Sequence, residues 1–310
     1  MRKIITKRGL RYLRRYGIHF GYWGNMYQTL GPEECLRQCK MIGANAYEFF
    51  PTRGMFEGNV EQIRTLRDLL DELDVEPLFT YGFPEEWDMT SEDASMREKA
   101  VNYLADGIKA LGALGARTLG GITYSHWPAN YNRGIIEPDV KERGLERVIK
   151  CLRRVMPIAR DNGVTLCLEI VNRFEHYLMN TAAEGMAVCD AVGTDCKLLL
   201  DVFHMNIEED DIPAAIRSAK GYIGHFHVSE PNRRVPYHTA RIDWAAVGQA
   251  LRDIEYDRCV VLEPFIIFGG EQGHNMRMWR NLEADCSLEN RLEIAKKGIA
   301  YIRQQFEGEM

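Results

Sequence analysis

The sequence lacks the features that mark a membrane-spanning or nucleic-acid-binding protein. No uninterrupted apolar run approaches the roughly 20 residues that a transmembrane helix needs. The formal net charge is −6 over 310 residues, whereas a nucleic-acid-binding surface would be basic. No linker or low-complexity segment divides the chain. We therefore expect one globular domain whose partner is neither a membrane nor a nucleic acid.

Cysteine pairs of the metal-binding or redox type are also missing. None of the eight cysteines forms a Cys-x-x-Cys pair, which argues against a zinc ribbon or a thioredoxin-type motif. Cys167 and Cys259 lie in apolar runs and are expected to be small buried hydrophobic residues. The first residues lack the apolar region of a secretory signal. We therefore expect reduced thiols and a cytoplasmic location.

Acidic residues are absent from the beginning of the chain, where the first is Glu33. The first fifteen residues are instead rich in arginine and lysine. We expect residues 1–15 to form a solvated basic extension and residues 16–310 to form the folded domain. A targeting arm or an oligomer contact is the alternative for this extension.

Short apolar runs alternate with longer helical patterns along the rest of the chain. The predicted strands are residues 17–23, 46–50, 76–82, 117–122, 166–169, 198–201, 224–227 and 260–263. The predicted helices are residues 32–42, 60–73, 92–114, 139–161, 181–192, 211–219, 243–254 and 288–306. Because parallel strands need helical crossovers, this alternation predicts an α/β fold, a single-domain (β/α)8 TIM barrel. An open doubly wound sheet usually carries a glycine-rich fingerprint after its first strand, and residues 21–25 do not match one.

Each of the last four predicted strands ends in a side chain that can bind a metal ion. These residues are Glu169, Asp201, His227 and Glu263. One such residue alone is more often a helix cap or an ion-pair partner, but the carboxyl ends of barrel strands surround an active site. Three carboxylates and one imidazole suit Mn²⁺, Mg²⁺ or Co²⁺ better than a metal selected by thiolates. His225 has the same strand parity as His227 and is expected to lie deeper in the barrel.

Two of these ligands are glutamates, and they are predicted to serve as proton carriers as well. Glu169 and Glu263 come from the fifth and eighth predicted strands, so they would stand apart around the barrel mouth. One carboxylate can remove a proton from one face of a substrate while the other returns a proton to the opposite face. The sequence therefore predicts proton transfer next to a carbonyl group, with a metal that stabilises the intermediate anion.

The segments that carry these residues resemble the ketose 3-epimerase family, which includes the D-tagatose and D-allulose (psicose) 3-epimerases. The similar segments are residues 169–175, 201–210, 224–227 and 263–265. The resemblance is strong from about residue 165 to residue 280 and weaker from residue 17 onwards, and it excludes residues 1–15. It implies a xylose-isomerase-like barrel in which Glu169, Asp201, His227 and Glu263 bind Mn²⁺ or Co²⁺, with Mn²⁺ expected first. It also implies that Glu169 and Glu263 are the acid/base pair and that the protein is a homodimer or homotetramer.

The resemblance further implies a set of sugar contacts. Glu175, His204 and Arg233 would hold the O1–O3 region of a ketose. Aromatic residues at Phe20, Trp23 and Trp127 would line its distal end, or they would merely seal the barrel mouth. The sequence departs from the family at Tyr81, in residues 237–241 and at His126, which would lie near the mouth as a possible additional acid or base. These changes are expected to surround the distal part of the pocket.

Three functions are consistent with this pattern. The first is a divalent-metal-dependent epimerase that inverts C3 of a free ketose through a metal-bound enediolate. The second is the large catalytic subunit of a metal-dependent lyase that cleaves 3-oxo-glycosides, including C-glycosides, together with a small partner subunit. The third is a non-catalytic sugar-binding barrel, although a binding protein would not need two proton carriers.

Overall fold

Strands and helices alternate along the chain in the computed structural model, which describes residues 3–6, 9–12, 14–51, 60–129, 135–193, 195–237, 239 and 241–308. The strands are β1 (Lys3–Thr6), β2 (Gly9–Tyr12), β3 (Tyr16–His19), β4 (Ala46–Phe49), β5 (Glu76–Thr80), β6 (Thr118–Gly120), β7 (Thr165–Ile170), β8 (Lys197–Asp201), β9 (Ile223–Val228) and β10 (Val260–Leu262). The helices are α1 (Met26–Met41), α2 (Val60–Leu73), α3 (Ala94–Leu114), α4 (Pro138–Asp161), α5 (Ala182–Val192), α6 (Val202–Glu208), α7 (Ile212–Ser218), α8 (Trp244–Asp253), α9 (Gly270–Asn275) and α10 (Leu288–Glu307).

Strands β3 to β10 form a closed parallel barrel in the order of the chain. The barrel closes where β10 pairs with β3, with Val260 opposite Tyr16. The prediction of a single-domain (β/α)8 barrel is therefore confirmed. In the part of the chain that the structure describes, no helix has both the length and the apolar character required to cross a bilayer.

The largest departure from the predicted elements lies at the first barrel strand. We predicted a strand over residues 17–23, but β3 ends at His19 and a 3-10 helix follows over Phe20–Trp23. The His19 ring starts this turn, because its Nδ1 accepts a hydrogen bond from the Gly21 N–H at 3.1 Å. A Cβ atom at Gly21 would lie 2.4 Å from the Phe265 ring, so only glycine allows this close approach.

Alternation along the strands sorts the side chains between the barrel interior and the surrounding helices. In β4, Tyr47 and Phe49 belong to the main hydrophobic core, while Ala46 belongs to a separate small cluster with Leu78, Cys259 and Val261. Glu48 has the parity of Ala46, so it also points into the barrel. The interior is thus apolar at one end and polar towards the carboxyl ends of the strands.

The predicted basic extension is described over β1 and β2, which form an antiparallel two-stranded sheet outside the barrel. Arg14, which the prediction included in this solvated segment, is only 7% exposed. Its guanidinium donates to the backbone carbonyls of Tyr256 at 2.7 Å and Phe306 at 2.9 Å. Arg14 is therefore part of the base of the barrel, and the predicted solvated character of residues 1–15 does not extend to it.

Candidate metal and proton-transfer site

The four predicted metal ligands converge at the carboxyl end of the barrel. Glu169 lies on β7, Asp201 ends β8, His227 lies on β9 and Glu263 directly follows β10. One ligand atom of each residue lies within 4.8 Å of the corresponding atoms of the other three. All four side chains are buried. Neighbouring strand ends therefore place three carboxylates and one imidazole around a common centre.

The His227 ring presents one nitrogen to this centre. Its Nε2 lies 2.7 Å from Glu48 Oε2, on the side away from the other ligands. Its Nδ1 is buried, has no hydrogen-bond partner among the residues that the structure describes, and lies 3.3 Å from Glu263 Oε2. An unpartnered imidazole nitrogen beside three carboxylates is a donor set that fits a divalent ion.

The two glutamates experience opposite electrostatic environments. Burial raises the pKa of Glu169, and the nearby charge of Glu263 acts in the same direction. Burial would also raise the pKa of Glu263, but Arg233 and His227 together hold it well below its usual range. Burial opposes the charged form of His227, yet Glu48 and Glu263 raise its pKa well above the ordinary histidine value. A metal ion at this centre would displace a proton from His227 Nδ1, since metal ligands must be deprotonated.

Arg233 places a positive charge among these carboxylates. Its Nη1 donates to Asp201 Oδ2 at 2.6 Å and to Glu263 Oε2 at 2.8 Å. Its guanidinium carbon lies 3.7 Å from the centroid of the Phe203 ring, a distance suited to a cation–π contact. The backbone of Arg233 has a φ of 63°, a conformation that a non-glycine residue rarely adopts. The strained turn after β9 therefore directs this side chain into the site.

A second group of polar side chains connects the site to the pocket wall. His204 Nε2 lies 3.6 Å from Glu169 Oε1, and its Nδ1 lies 2.7 Å from Asn172 Nδ2. Asn172 also donates to Glu175 Oε1 at 3.3 Å. The indole N–H of Trp127 donates to the other oxygen of Glu175 at 2.9 Å. These contacts form a continuous polar chain from Glu169 to Trp127.

A cavity of about 650 Å³ opens above the carboxylates. The predicted site residues that line it are Phe20, Trp127, Glu169, Glu175, His204, Arg233 and Glu263. Its opposite wall is aromatic and includes Phe50, Tyr81 and Phe83. Asp201 and His227 are fully buried and lie beneath the cavity floor. The arrangement brings Glu169 and Glu263, the two predicted proton carriers, to the cavity wall, whereas Asp201 and His227 do not line the cavity.

Comparisons with known proteins agree with this fold and site. A family model for the xylose isomerase-like TIM barrel matches residues 36–304. The chain belongs to the xylose isomerase-like TIM barrel family. Within that family it is 36% identical to a D-psicose 3-epimerase of Ruminiclostridium cellulolyticum, over 86% of this chain and 89% of the relative. It is 33% identical to a D-psicose 3-epimerase of Agrobacterium fabrum, over 93% of this chain and 98% of the relative.

Solved structures in the family superpose closely on the chain. A crystal structure of D-psicose 3-epimerase in the presence of D-fructose has a TM-score of 0.88 and 31% identity, and covers 95% of this chain and 100% of that one. The D-psicose 3-epimerase of Clostridium cellulolyticum H10, crystallised with D-tagatose, has a TM-score of 0.86 and 32% identity, with coverage of 94% and 99%. The predicted resemblance to ketose 3-epimerases is confirmed. The chain is accordingly an enzyme of the isomerase class.

Two residues predicted to contact the sugar lie outside the cavity of this xylose isomerase-like barrel. Trp23 is 1% exposed, its indole N–H donates to Gln38 Oε1, and its ring packs edge-on against Tyr22 and Tyr47. The 3-10 turn after His19 rotates Trp23 away from the mouth, which a straight strand would not do. The prediction that Trp23 lines the pocket is therefore wrong.

His126 also departs from its predicted place. Its Nδ1 lies 2.9 Å from Asp88 Oδ2, and Asp88 also accepts from Ser125 Oγ at 3.0 Å. This pairing turns His126 away from the cavity, although the next residue, Trp127, lines it. The prediction of an additional acid or base at His126 is not supported by this geometry.

The other two departures from the epimerase pattern, Tyr81 and residues 237–241, lie in different places. Tyr81 lines the cavity as predicted. The loop after Pro236 does not, because Thr239 Oγ1 donates to Glu230 Oε2 at 2.5 Å and the Tyr237 ring packs edge-on against Tyr301 of α10. The prediction that residues 237–241 surround the distal pocket is therefore wrong for the described part of this loop.

Two polar residues near the candidate metal centre were missing from the predicted site. His19, at the end of β3, has its Nε2 3.7 Å from Glu263 Oε1. Glu48, on β4, contacts both His225 and His227. The signal for Glu48 was a charged residue inside the apolar run Ala46–Phe49, since a buried charge requires a partner.

Proposed function

We propose that this enzyme inverts C3 of a free ketose and that the reaction depends on a divalent metal. The observation that carries the proposal is the placement of Glu169 and Glu263, from strands β7 and β10, at one cavity that can admit a small molecule. The similarity to D-psicose 3-epimerases, and to an L-ribulose 3-epimerase of Mesorhizobium japonicum with 32% identity, supports a ketose as the substrate.

The metal would be held by Glu169, Asp201, His227 and Glu263. Mn²⁺ is the first expectation for three oxygen donors and one nitrogen donor, with Co²⁺ or Mg²⁺ as alternatives. When bound, the metal would supply a positive charge that stabilises the enediolate anion. Asp201 and His227 lie below the cavity floor, so we assign them to holding the ion only.

Glu169 and Glu263 would carry the protons. One carboxylate removes the proton from C3, and the other, in its acid form, returns a proton to the opposite face of the same carbon. The roles exchange when the reverse reaction occurs, because epimerisation can begin from either configuration. Their positions on two non-adjacent strands, separated by β8 and β9, are consistent with access to both faces.

The remaining polar residues would orient the ketose. Arg233 and His204 lie beside Glu263 and Glu169, respectively, and are placed to bind the oxygens at O1–O3. Glu175, held between Asn172 and Trp127, offers a carboxylate acceptor to a sugar hydroxyl. Phe20 and Trp127 would cover the apolar face of the sugar and limit the entry of water. The predicted homodimer or homotetramer and the cytoplasmic location remain predictions.

The lyase alternative has one observation in its favour. Phe50, Tyr81 and Trp127 give the cavity an aromatic wall, which is suited to the aglycone of a 3-oxo-glycoside. This reaction would use the same proton abstraction but would end in loss of the aglycone. It would also require the small partner subunit that belongs to this alternative.

The direct test is product analysis with a panel of ketoses and 3-oxo-glycosides. The protein would be stripped with a chelator, dialysed and supplied with Mn²⁺, Co²⁺ or Mg²⁺. We expect a C3 epimer from at least one ketose, formed only after metal is restored. Release of an aglycone without any ketose epimer would favour the lyase. Full activity of the metal-free protein would contradict the proposed metal dependence.

A further inference from the structure

We infer that Glu48 is a positioning residue that fixes the orientation and tautomer of His227, so that His227 presents Nδ1 to the metal. The inference rests on the proposed metal dependence and extends it to a residue beyond the four ligands. Glu48 lies on β4 and His227 on β9, and β3 and β10 stand between these strands. The contact therefore spans the barrel interior and is not a product of strand pairing.

The three residues involved form a closed and fully buried cluster. Glu48, His225 and His227 each have 0% exposure. Glu48 Oε2 lies 2.7 Å from His227 Nε2, and Glu48 Oε1 lies 3.0 Å from His225 Nε2. Each carboxylate oxygen thus has its own imidazole. Contacts at both oxygens restrict rotation of the carboxylate, so His225 helps to hold Glu48 in place for His227. The two Nε2 atoms lie 3.1 Å apart, both directed at this carboxylate.

The proton positions follow from the chemistry of the groups. An ionised carboxylate only accepts hydrogen bonds, so the His227 nitrogen that faces it must carry a proton. That nitrogen is Nε2, which leaves Nδ1 as the atom that can donate a lone pair. In the described part of the chain Nδ1 makes no hydrogen bond, and it points towards the ligand cluster, 3.3 Å from Glu263 Oε2. The tautomer that satisfies Glu48 is therefore the one that a metal at this centre requires.

The same arrangement explains a charged residue in the middle of a buried strand. A carboxylate buried without partners would be strongly destabilising, and here two imidazoles compensate it. A carboxylate that accepts from a ligand histidine also increases the electron density on the other ring nitrogen and strengthens its bond to a metal. Substituting such a partner commonly weakens metal binding by roughly 10–100-fold.

The first test is metal affinity, measured by calorimetry with Mn²⁺ and the chelator-stripped full-length chain. Glu48→Gln keeps the size of the side chain, but its amide can accept from one imidazole while its NH₂ group faces the other. We expect the Kd for Mn²⁺ to rise by roughly 10–100-fold. The matched control is Asp88→Asn, because Asp88 is also a buried carboxylate paired with a histidine, His126, and it has no contact with the ligand cluster. We expect the control to bind Mn²⁺ as the wild type does.

A second measurement covers the case in which Glu48→Gln does not fold. The wild-type protein would be labelled with ¹⁵N-histidine and loaded with Zn²⁺, which is diamagnetic. We expect His227 to retain a proton on Nε2 and to carry none on Nδ1. A proton on Nδ1, or an Nε2 without one, would overturn the inference.

The outcomes separate this inference from the proposed function. If the wild type binds Mn²⁺ and epimerises a ketose while Glu48→Gln has unchanged affinity, the inference fails and the proposed function stands. If the wild type binds no metal, the proposed function and the inference both fail. Weaker binding in Glu48→Gln with normal binding in Asp88→Asn supports the inference, because a general loss of stability would affect both variants.

Discussion

The two halves of the barrel rim carry different kinds of side chain. Strands β7 to β10 end in carboxylates and an imidazole that are buried and held by mutual contacts. The rim beyond β3 to β6 contributes mainly aromatic rings, among them Phe20, Phe50 and Tyr81, and Phe50 is 39% exposed. The polar half, at β7 to β10, is suited to binding a metal and moving protons. The aromatic half, beyond β3 to β6, is suited to selecting a substrate. Substitutions in the polar half should therefore affect turnover, and substitutions in the aromatic half should affect which sugar is used.

The division is not complete in the barrel interior. His19 and Glu48 come from β3 and β4, yet both contact residues of the polar half. They lie on the strands themselves, whereas the aromatic rings named above follow the strand ends. The difference between the two halves therefore applies to the rim. Inside the barrel, polar residues also lie on β3 and β4, beneath the aromatic rings.

The largest expected effect comes from neutralising either proton carrier. We expect Glu169→Gln and Glu263→Gln each to lower kcat by about 100-fold or more, because a positioned acid or base contributes roughly 10²–10⁴-fold. Steady-state kinetics would measure the loss, and calorimetry would show that metal still binds, since the amide oxygen of glutamine remains available as a donor. Glu230→Gln is the control, since Glu230 is buried and accepts from the Trp244 indole at 3.3 Å outside the cavity. Near-native kcat in either of the first two variants would refute the two-carboxylate scheme.

Metal removal should affect stability as well as activity. A ligand at about 100 times its Kd stabilises the folded state by roughly 2.7 kcal/mol. We therefore expect Mn²⁺ to raise the melting temperature of the chelator-stripped protein, with the increase depending on metal concentration. Asp201→Asn should reduce this increase, because Asp201 is buried and is assigned to holding the ion only. An unchanged melting temperature at saturating metal would argue against a metal bound between the four strand ends.

An intermediate effect is expected where the two halves meet. Trp127 lies on the aromatic side but donates to Glu175 at 2.9 Å. We expect Trp127→Phe to lower kcat/KM by about tenfold, because a hydrogen bond to a charged group is worth roughly 1.5–3 kcal/mol. Trp87→Phe removes a tryptophan that stacks on Tyr103 outside the cavity lining, and it should have little effect. Equal losses in both variants would indicate a general disturbance of the fold.

A smaller effect is expected within the aromatic half. Tyr81→Leu should change the relative kcat/KM of two ketoses by about tenfold, the lower end of the roughly 1–3 kcal/mol by which one methylene group in a pocket discriminates. Tyr81→Phe retains the ring and should preserve the order of preference. If kcat fell by the same large factor for every ketose, Tyr81 would act with the polar half of the rim and not in substrate selection.

The smallest kinetic effect is expected at Trp23. Its hydrogen bond to Gln38 lies outside the cavity, so Trp23→Phe should leave KM unchanged. It should lower the free energy of unfolding by about 1–3 kcal/mol, because a buried acceptor loses its partner. Denaturant titration and steady-state kinetics would test both statements. A raised KM with unchanged stability would restore Trp23 to the pocket.

The barrel and the convergence of the four strand-end side chains could be predicted from the sequence, because both depend on periodic patterns. The α2 helix has the predicted bounds, Val60–Leu73, and Asp201 and His227 are adjacent in the pairing of β8 with β9. These features follow from local alternation of apolar runs and from the parallel order of the strands. The four strand ends could therefore be placed together without coordinates.

The sequence could not reveal features that depend on direction in space. Glu48 was visible as a charge in a strand, but alternation does not show which face of the strand points into the barrel. The pattern predicts Trp23 at the mouth because it predicts too long a strand. The turn that ends this strand depends on the His19 cap and on the packing of Gly21 against Phe265. In the loop after β6, the side chain of Trp127 lines the cavity and that of His126 does not. This difference depends on the pairing of His126 with Asp88, which lies in a different part of the chain.

In the proposed mechanism, Glu169 and Glu263 act on C3 from opposite faces, and one removes its proton while the other returns a proton. The most direct measurement is NMR of a ketose incubated in D₂O with the Mn²⁺-loaded protein. Because the proton is returned by a second carboxylate that equilibrates with solvent, we predict an epimer that carries deuterium at C3 and no other new label. An epimer that retains protium at C3, or label that enters only at C1, would contradict the account.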